Sequence, residues 1–576
     1  MIGERCHSAL HTAYNIYNIM CRNAELGPCS AMYEVTNQPP PLEPYNLLQS
    51  DRVLREALLR EHAGWAEDEL TTLGKTLGET ETIQLGFEAN RNLPLLRNFD
   101  RYGHRIDEVE FHPAWHALLS IAVKAGLHSS PWAEPRQGAH AARAIGTYML
   151  AQIESGVYCP IAMTYGAVPA LRHAPALAAE WLPRIFARQY DPRFRPATEK
   201  TGALIGMAMT ENQGGSDLRT NTTRADFIED NASRRLFRLS GHKWFMSAPM
   251  CDAFLVLARS QGGLSCFLVP RWTRDGKRNA IHIERLKDKL GNRSNASSEV
   301  EFVEAESELI GEEGRGIPTI IEMSAYARLD CAIGSSGLMR QAVAQAIHHA
   351  SHRIAFQKRL IDQSLMINVL ADLALESEAA TVLTMRLARA YDENDEAALI
   401  WRRVLTPAVK FWICKRAIAL AAEALEVLGG NGYVEESVMP RIFRETPVNS
   451  IWEGSGNIMC LDVLRAIERT SGAVDLLSRE LAEAAHADKR LRIVTARLNG
   501  RLAPVEQNDE SQGRATVRDL VLAVQAALLH RHSPAAVADA FCASRLGSEP
   551  GGAFGLLPSG INCRAIVDRA AMRHVD

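Results

Sequence analysis

Apolar residues recur every three or four positions over two long stretches of this sequence, and a stretch with a shorter period lies between them. From about 50 to 195, the segments 63–77 and 113–125 show this spacing, and the Ala-rich segment 138–158 is typical of a buried helix. Six prolines between 160 and 196 separate short helices. The helical spacing returns from about 316 to 467, where long helices are predicted at 324–354, 363–391, 396–428 and 457–469.

Short runs rich in β-forming residues occupy the middle of the chain, at 237–239, 253–258, 265–269, 281–286 and 299–303. Gly, Asn, Asp or Pro residues bound these runs, whose length and spacing predict a small antiparallel sheet. The fold class expected is therefore a multidomain α+β protein. Its parts are an N-terminal helical domain (36–204), a middle β domain (205–315), a helical bundle domain (316–467) and a helical C-terminal extension (468–576). We expect residues 1–35 to form a disordered arm, and the alternative is a partner-binding helix at 8–20.

Composition and charge narrow the function classes. A chain of 576 residues is long enough for three or four domains, and its net charge of −4 argues against a globally basic nucleic-acid binder while leaving room for a local basic face. The 11 cysteines are scattered without a C-x-x-C pair or metal-ligand spacing, so we expect reduced thiols and no metal site. No apolar run of 18 residues and no secretory leader pattern is present, which predicts a cytoplasmic protein without a membrane partner.

One carboxylate stands out in the segment 450–457, which reads Ser-Ile-Trp-Glu-Gly-Ser-Gly-Asn and follows the glycine-rich segment 429–433. Glu453 lies between an indole, Trp452, and small residues that permit close approach of a flat molecule. An apolar neighbour raises the pKa of a carboxyl group toward the range of a working base. A lone loop glutamate is nevertheless most often a solvated surface charge, so further motifs have to decide between the two interpretations.

Further motifs occur in a fixed order along the chain. The segment 209–217 reads Met-Thr-Glu-Asn-Gln-Gly-Gly-Ser-Asp, and 241–247 reads Gly-His-Lys-Trp-Phe-Met-Ser. Leu-Gly-Asn-Arg-Ser follows at 290–294, Arg353 and Phe356 begin an R-x-x-F pattern, and Gly-Gly-Asn-Gly-Tyr precedes the Glu453 segment. In this order the motifs resemble those of the acyl-CoA dehydrogenases, over roughly residues 80–467. The resemblance implies the acyl-CoA dehydrogenase-like fold with an extra C-terminal domain.

The resemblance also implies FAD as cofactor, a homo-oligomer that is a tetramer, and oxidoreductase chemistry on the CH–CH group of a small-molecule donor. Short hydroxyls and an aromatic wall would hold the flavin, and Arg353 with Phe356 would reach the FAD of a neighbouring subunit. By motif position, the cofactor-binding residues are Met209, Thr210, Gly215, Ser216, Trp244, Phe245, Ser247, Arg353, Phe356, Gly429, Gly430, Trp452, Gly454, Ser455 and Asn457. Taken alone, Trp244 and Phe245 would be strand-core aromatics and Gly429 a helix C-cap.

For the chemistry, the resemblance assigns Glu453 as the base that removes an α-proton and Arg328 as a neighbouring helix arginine. Some relatives place the base beside the Arg328 position, where this chain has Ala327, so Glu453 is the candidate that is left. An acidic residue that some relatives use toward CoA stands three positions before the arginine, and here that position is Ala325. The alanine at position 325 argues against a standard CoA substrate. For Arg328, the alternative role is an ordinary ion pair on the helix.

The segments 285–297 and 448–465, together with a C-terminal extension of about a hundred residues, resemble the alkylation-response branch of the family. That resemblance implies double-stranded DNA as a partner, bound without sequence specificity in the alkylation-damage response, together with a weak or unidentified dehydrogenase activity. The alternatives are a metabolic acyl-CoA dehydrogenase that uses Glu453 as its base and has no DNA role, and a structural oligomer that keeps FAD only for stability. Residues 469–576 contain 14 Arg and Lys against 12 Asp and Glu. The candidate DNA-binding residues are Arg465, Arg469, Lys489, Arg490, Arg492 and Arg497. A solvated helix face with acidic partners at 475, 480, 483 and 488 is the alternative interpretation.

Overall fold

The N-terminal part of the protein is helical, with one hairpin that the sequence pattern does not predict. The computed structural model describes residues 34–230, 234–502, 510–547 and 552–572, so the arm and the helix expected before residue 34 lie outside the described residues. Eight α-helices run from α1 to α8: Arg52–Arg60, Glu67–Gly78, Thr80–Arg91, Pro113–Lys124, Ser130–Ala133, Ala139–Ile153, Tyr158–Leu171 and Pro175–Ile185. Helix α6 is buried along its whole length, as its Ala-rich sequence predicts.

The hairpin consists of β1 (Leu95–Phe99) and β2 (Arg105–Glu110), which pair antiparallel between α3 and α4. Its larger apolar residues do not mark a buried face, because Leu95 and Phe99 are both mostly exposed. A periodicity argument depends on apolar residues that point into a core. The spacing of apolar residues therefore does not predict this hairpin.

The middle part is a seven-stranded sheet in the order β3-β5-β4-β6-β7-β9-β8. Its strands β3 to β9 are Ile205–Ala208, Arg224–Asp230, Arg235–Ser247, Ala253–Ser260, Gly263–Pro270, Ile281–Leu286 and Ser297–Ile310. Most pairs are antiparallel as expected, but β3 runs parallel to β6 from Ile205↔Ala253 to Ala208↔Val256, which corrects the purely antiparallel prediction. The long strands β5 and β9 pair with each other through β-bulges. Polar residues interrupt the alternation of apolar and polar positions in both strands, so the sequence pattern predicts only a short segment of each.

The helical bundle is built around α9 (Gly316–His352), which packs against α6, α7, α10 and α12. The remaining bundle elements are β10 (Ile354–Ala355), β11 (Lys358–Arg359), α10 (Ser364–Arg389), α11 (Glu396–Ile400), α12 (Thr406–Val427), α13 (Gly430–Tyr433), α14 (Met439–Asn449) and α15 (Gly456–Arg469). The single helix predicted over 396–428 is interrupted by a π-helical turn at Trp401–Leu405. Pro407 follows this turn and lacks the N–H group that a regular α-helix would require there.

The C-terminal extension contains α16 (Ala473–Ala487), α17 (Lys489–Leu502), α18 (Gly513–His532), α19 (Ala535–Arg545) and α20 (Cys563–Ala570). Helix α18 lies between α16, α17 and α19 on one side and the bundle helices α10, α12 and α15 on the other, whereas α20 packs directly on α10. Buried carboxylates of α10 hold the extension in place, since Arg569 pairs with Glu378 at 2.9 Å and Arg545 pairs with Glu376 at 3.0 Å. Among the described residues, no helix combines the length and the apolar character that crossing a bilayer requires.

Candidate functional site

The turn between α14 and α15 presents Glu453 in a left-handed backbone conformation. The φ angle is +58° at Glu453 and +108° at Gly454. The backbone conformation of Gly454 is one that residues with a side chain rarely adopt, and a Cβ there would also lie 2.4 Å from the flexible Cε of Met459, so glycine is strongly favoured. Holding a non-glycine residue at positive φ costs roughly 1–3 kcal/mol and persists only where surrounding contacts enforce it.

Two cations supply those contacts by binding consecutive carbonyl groups of the turn. Arg328 Nε donates to the carbonyl oxygen of Glu453 at 3.0 Å, and Lys410 Nζ donates to that of Gly454 at 2.7 Å. Lys410 is almost fully buried on α12. Arg328 is itself fixed by Asp462, whose carboxylate accepts from its Nη1 at 2.8 Å. Arg328 is thus both an ion-pair partner and a positioning residue for the Glu453 turn, which combines the two roles considered from the sequence.

The Glu453 carboxylate is poised to act as a proton acceptor. Its Oε2 is buried and has no hydrogen-bond partner among the described residues. Burial raises the pKa of Glu453 above its usual value, while the Arg328 and Lys410 charges and the Ser324 hydroxyl oppose that rise. A buried, unpartnered carboxylate oxygen with a raised pKa is the arrangement that general-base chemistry near neutral pH requires.

The flanking residues of the turn divide into a fixed side and an open side. Trp452 is half-buried, and its Nε1 donates to Asn449 Oδ1 at 3.0 Å, while Asn449 in turn donates to the buried Ser335 hydroxyl. Ser455 and Asn457 are exposed at the start of α15. The indole therefore forms a fixed wall beside Glu453, and the two polar residues face outward.

In the β domain, the segment 209–223 is organised around a buried carboxylate, Glu211. Lys243 Nζ on β5 donates to Glu211 Oε1 at 2.7 Å, and the hydroxyls of Thr222 and Thr223 donate to its two oxygens. Burial alone would raise the pKa of Glu211, but the Lys243 ammonium and these hydrogen bonds hold it well below its usual range. Glu211 is therefore a structural clamp within the motif.

The clamp positions the residues predicted to contact a flavin. The carbonyl of Thr210 accepts from the Trp244 N–H at 2.8 Å, and the Met209 carbonyl accepts from Asn221 Nδ2. A Cβ on Gly215 would lie 2.6 Å from the Thr210 hydroxyl, so this glycine lets the turn close onto Thr210. Ser216 is exposed at the end of the turn.

Trp244 and Phe245 form an aromatic surface at the end of β5, and neither is a strand-core residue. Phe245 is 46% exposed, which contradicts the interpretation as a core aromatic, and Trp244 is half-buried. The Lys287 ammonium lies 3.5 Å from the Trp244 ring centroid and 4.7 Å from that of Phe245. Ser247 follows them and shares a hydrogen bond of 3.1 Å with the Ser297 hydroxyl.

The loop 287–296 connects this aromatic surface to the Glu453 turn. Glu445 on α14 accepts from the Asn292 backbone N–H and from Asn292 Nδ2, at 2.5 and 2.9 Å. Burial raises the pKa of the Cys159 thiol to about 12, and the nearby charges of Lys289 and Glu453 act on it in opposite directions. The buried Cys159 thiol therefore lies within electrostatic reach of both the loop and the Glu453 carboxylate.

A second group of predicted cofactor residues assembles around the N-terminal segment. Arg353 Nη1 donates to the Asn37 carbonyl at 2.6 Å, and Asn431 donates to the Gln38 side chain at 3.3 Å. Phe356 is 94% exposed at the tip of the β10–β11 hairpin, with φ of +52°. Gly429 and Gly430 are exposed after the end of α12, and a Cβ at either position would meet nothing within 4 Å. This group contains no direct contact to Glu453 among the described residues.

The predicted basic surface lies on α15 and α17. Arg465, Arg469, Lys489 and Arg492 are exposed and have no ion-pair partner within the described ranges. Arg490 pairs with Asp488 at 2.5 Å, and Arg497 pairs with the buried Asp519 at 2.8 Å. The solvated-face interpretation therefore holds for Arg490, whose predicted partner Asp488 is present, while Glu480 and Glu483 pair with Arg531 instead.

Lys410, Asp462 and Lys243 are parts of these sites that the sequence motifs do not predict. Lys410 stands within an apolar run of α12, and a single charge in such a run is a signal for a buried, specifically paired residue. Asp462 carries no comparable signal, because its importance depends on Arg328 from a distant helix.

Family comparisons agree with this layout. Residues 37–192 match the Adaptive response protein AidB N-terminal domain, residues 206–305 the acyl-CoA dehydrogenase middle domain, and residues 314–468 the acyl-CoA dehydrogenase C-terminal domain. The AidB protein of Escherichia coli (strain K12) is 48% identical over 90% of this chain and 95% of its own length.

Solved structures of the family are also similar to this chain. The structure of Caenorhabditis elegans ACDH-11 in complex with C11-CoA is 26% identical, with a TM-score of 0.80, and the match covers 90% of this chain and 93% of that one. The structure of an acyl-CoA dehydrogenase from Bacillus anthracis complexed with FAD has a TM-score of 0.60 at 17% identity, covering 79% and 81%, and shows a shared fold. The predicted fold class is confirmed.

Proposed function

This chain belongs to the acyl-CoA dehydrogenase family and carries the N-terminal domain of the AidB branch. From that premise we propose that it is an FAD-binding flavoprotein of the AidB type, in which Glu453 removes a proton from an acyl thioester or a related small substrate. The observation that carries the proposal is the buried, unpartnered Oε2 of Glu453 on a turn that two cations hold in a strained conformation.

The residues present fit FAD. A flat ring requires an apolar wall and nearby backbone and hydroxyl groups, and Trp244, Phe245, Thr210 and Ser247 offer these at the end of β5. Gly429 and Gly430 leave bare backbone facing open space, where a phosphate-bearing chain is free to approach. FAD, when bound, supplies the hydride acceptor that dehydrogenation requires.

This chain's own residues would position the substrate and move the proton. Trp452 and Asn449 fix one wall, so that a substrate can approach Glu453 from the open side of the turn. The Oε2 atom of Glu453 accepts the α-proton, and the charges of Arg328 and Lys410 oppose the rise in the pKa of Glu453 that burial causes. The same two cations fix the direction in which that oxygen points, because they bind the adjacent carbonyl groups.

The substrate class follows from the residues beside the base. Ala325 offers no carboxylate toward a CoA moiety, and the partly buried indole of Trp452 gives Glu453 an apolar neighbour. ACDH-11, a structural neighbour, has been solved with C11-CoA. We therefore favour an acyl thioester or a small substrate with a similarly acidic C–H bond over a polar metabolite.

The functional unit is a homo-oligomer, and we favour a tetramer. Phe356, at the tip of the β10–β11 hairpin, is 94% exposed in a single chain. Leu365 and Tyr433, at 86% and 80%, are also exposed in the same part of the bundle domain. Exposed apolar residues of this size are typical of an interface, and a hairpin that projects from one subunit can complete the cofactor site of another.

A second function, binding of double-stranded DNA, is favoured by one specific observation. The carboxylate of Asp519 holds three arginines, Arg497, Arg501 and Arg518, at 2.8 to 3.1 Å, so the cluster keeps a surplus of positive charge. Arg465, Arg469, Lys489 and Arg492 add further exposed positive charges on α15 and α17. Such a surface neutralises phosphates without reading bases, so binding would be independent of sequence and sensitive to salt.

The test is anaerobic flavin reduction with a panel of acyl thioesters of increasing chain length, beside a duplex DNA titration on the same preparation. We expect FAD in the supernatant of the denatured protein and bleaching of the flavin by at least one thioester. Absence of FAD from every preparation contradicts the cofactor proposal. Bleaching without salt-sensitive DNA binding favours a metabolic dehydrogenase, and FAD with no bleaching by any substrate contradicts the proposed chemistry.

A further inference from the structure

Three side chains with metal-binding atoms meet in the C-terminal extension, far from the Glu453 turn in the sequence. Asp488, His530 and Cys542 place one ligand atom each within 4.8 Å of one another. Asp488 and Cys542 are buried and His530 is partly buried. They come from three different elements: the residue before α17, the end of α18 and the middle of α19.

We propose that Asp488, His530 and Cys542 form a binding site for a divalent transition-metal ion, and that Zn²⁺ is the ion that this donor set fits best. Cysteine, histidine and aspartate are the three ligand types that Zn²⁺ takes in proteins. Thiolate and imidazole also disfavour Mg²⁺ and Ca²⁺, which select oxygen ligands.

The distances fit a tetrahedral ion. Cys542 Sγ lies 3.5 Å from His530 Nε2, and His530 Nε2 lies 3.7 Å from Asp488 Oδ2. Ligand atoms at roughly 2.0–2.3 Å from a tetrahedral Zn²⁺ are separated from one another by about 3.3–3.7 Å. Three protein ligands leave the fourth position to a water molecule, as in sites that are not closed by protein alone.

The charges of the three ligands would also balance the charge of the ion. Binding of Zn²⁺ would release the thiol proton of Cys542 to solvent, so that a thiolate, a carboxylate and a neutral imidazole together offset the two positive charges. Arg490 now pairs with Asp488 Oδ2 at 2.5 Å, which opposes a cation at that oxygen. Arg490 has a second carboxylate, Asp539 at 3.1 Å, so its charge stays paired when the metal takes Oδ2.

Asp488 is held by contacts at both carboxylate oxygens, so a metal ion at Oδ2 would displace Arg490 from that oxygen. Its Oδ1 accepts the backbone N–H of Arg490 at the start of α17, and this bond fixes the carboxylate relative to the helix. Its Oδ2 points to His530. An ion at this position would tie α17, α18 and α19 together, because each of these helices is joined to one ligand.

The site is tested on the full-length protein after removal of metal with a chelator. Zn²⁺ and Co²⁺ are added separately and bound metal is counted by equilibrium dialysis and elemental mass spectrometry. Co²⁺ also gives a thiolate charge-transfer absorption, read as a difference against Cys542→Ser in the same flavin state. We expect one ion per chain. Cys542→Ser and His530→Gln should each weaken binding by at least about 100-fold, since even partners of metal ligands contribute about 10- to 100-fold.

Cys563→Ser is the matched control, because it removes a thiol from the same extension without touching the three ligands. It should bind metal as the parent does. If Cys542→Ser fails to fold, His530→Gln and the thiolate absorption of the parent protein decide. Absence of stoichiometric Zn²⁺ and Co²⁺, or binding that is unchanged in both ligand variants, overturns the proposal and leaves the three residues as a hydrogen-bonded helix contact.

Discussion

The charged groups of the Glu453 turn are mostly buried, whereas those of the basic surface of α17 are largely exposed to solvent. At the turn, one carboxylate oxygen is buried without a partner, and two cations bind the backbone beside it. On α17, Lys489 and Arg492 are solvated, and the other arginines are partly neutralised by Asp488 and Asp519. A buried charge acts on its neighbours through a low local dielectric, whereas solvent and salt screen an exposed one.

This difference explains how the proposed proton transfer and the proposed phosphate binding would avoid conflict in one chain. Function at the turn depends on single residues, and each one changes the pKa or the direction of Glu453. Function on the basic surface depends on the number of charges, so single residues there contribute little. Substitutions in the two regions should therefore differ in the size of their effects and in their response to salt.

The largest effect is expected from Glu453→Gln, which keeps the shape of the side chain and removes its basicity. Substrate-dependent flavin reduction should fall by roughly two to four orders of magnitude, the usual size of a general-base contribution. FAD content is measured in the same sample, because lost cofactor imitates lost chemistry. Glu468→Gln, an exposed change on α15, serves as control. Reduction at the parent rate with FAD retained would show that Glu453 is a structural loop residue.

Glu211→Gln should loosen the segment 209–223, because it leaves the Lys243 ammonium buried without a counter-charge. Removing one partner of a buried ion pair costs about 3–5 kcal/mol. The lowered pKa of Glu211 means that its contribution is present at neutral pH and disappears as the pH falls below the usual range of a glutamate. Hydrogen exchange of 209–223 measures the change, with the exposed Glu229→Gln as control. Equal protection in both variants would contradict the clamp.

Lys410→Met should slow flavin reduction by about 100-fold, the effect of a misplacement of about 1 Å at a reacting group. The acidic limb of the pH profile should also move to higher pH, because the Lys410 charge lowers the pKa of Glu453. Lys415→Met removes the same charge farther along α12 and should leave the profile in place. A slower rate with an unmoved pH profile would indicate that Lys410 acts only on packing.

The smallest effect is expected on DNA. The double substitution of Lys489 and Arg492 by Gln spares Arg490 and Arg497, which hold buried carboxylates. Affinity for all duplexes should fall by about tenfold, and the salt dependence should flatten by about 0.9 in log–log slope for each lost phosphate contact. Substituting Arg55 and Arg479, exposed positions elsewhere, makes the same change in net charge. If both pairs weaken binding equally, net charge rather than this surface is responsible.

Much of the fold can be predicted from the sequence, because the apolar residues of long helices and buried strands recur with the period of the element that they form. Strand β6 is buried on both faces, so its apolar run Ala253–Ala258 is unmistakable. The hairpin Leu95–Glu110, the parallel β3–β6 pair and the π turn at Trp401–Leu405 depend on interactions that no local pattern records.

The candidate site likewise contains residues that a local motif predicts and residues that only the fold brings together. Glu453, Trp452 and Gly454 are contiguous, so one motif predicts all three. Lys410 lies 44 positions before Gly454, and the fold alone brings its ammonium to that carbonyl. The acidic partner of Arg490 was foreseeable from spacing, whereas Asp519 reaches Arg497 from a separate helix. Local motifs thus predict which residues react, and tertiary packing determines which residues hold them.

The anchoring of the extension has a consequence for genetics and for protein engineering. Arg545 and Arg569 neutralise Asp372, Glu376 and Glu378 on α10, and Gly555 donates its N–H to Asp372. Cutting the chain after residue 468 would leave Asp372 and Glu378 without their arginines on a bundle helix that packs against α9, while Glu376 would keep Arg416. A truncated protein would then lose the proposed flavin chemistry and the proposed DNA binding together, whichever part performs them. Point substitutions are the route by which the two activities can be separated.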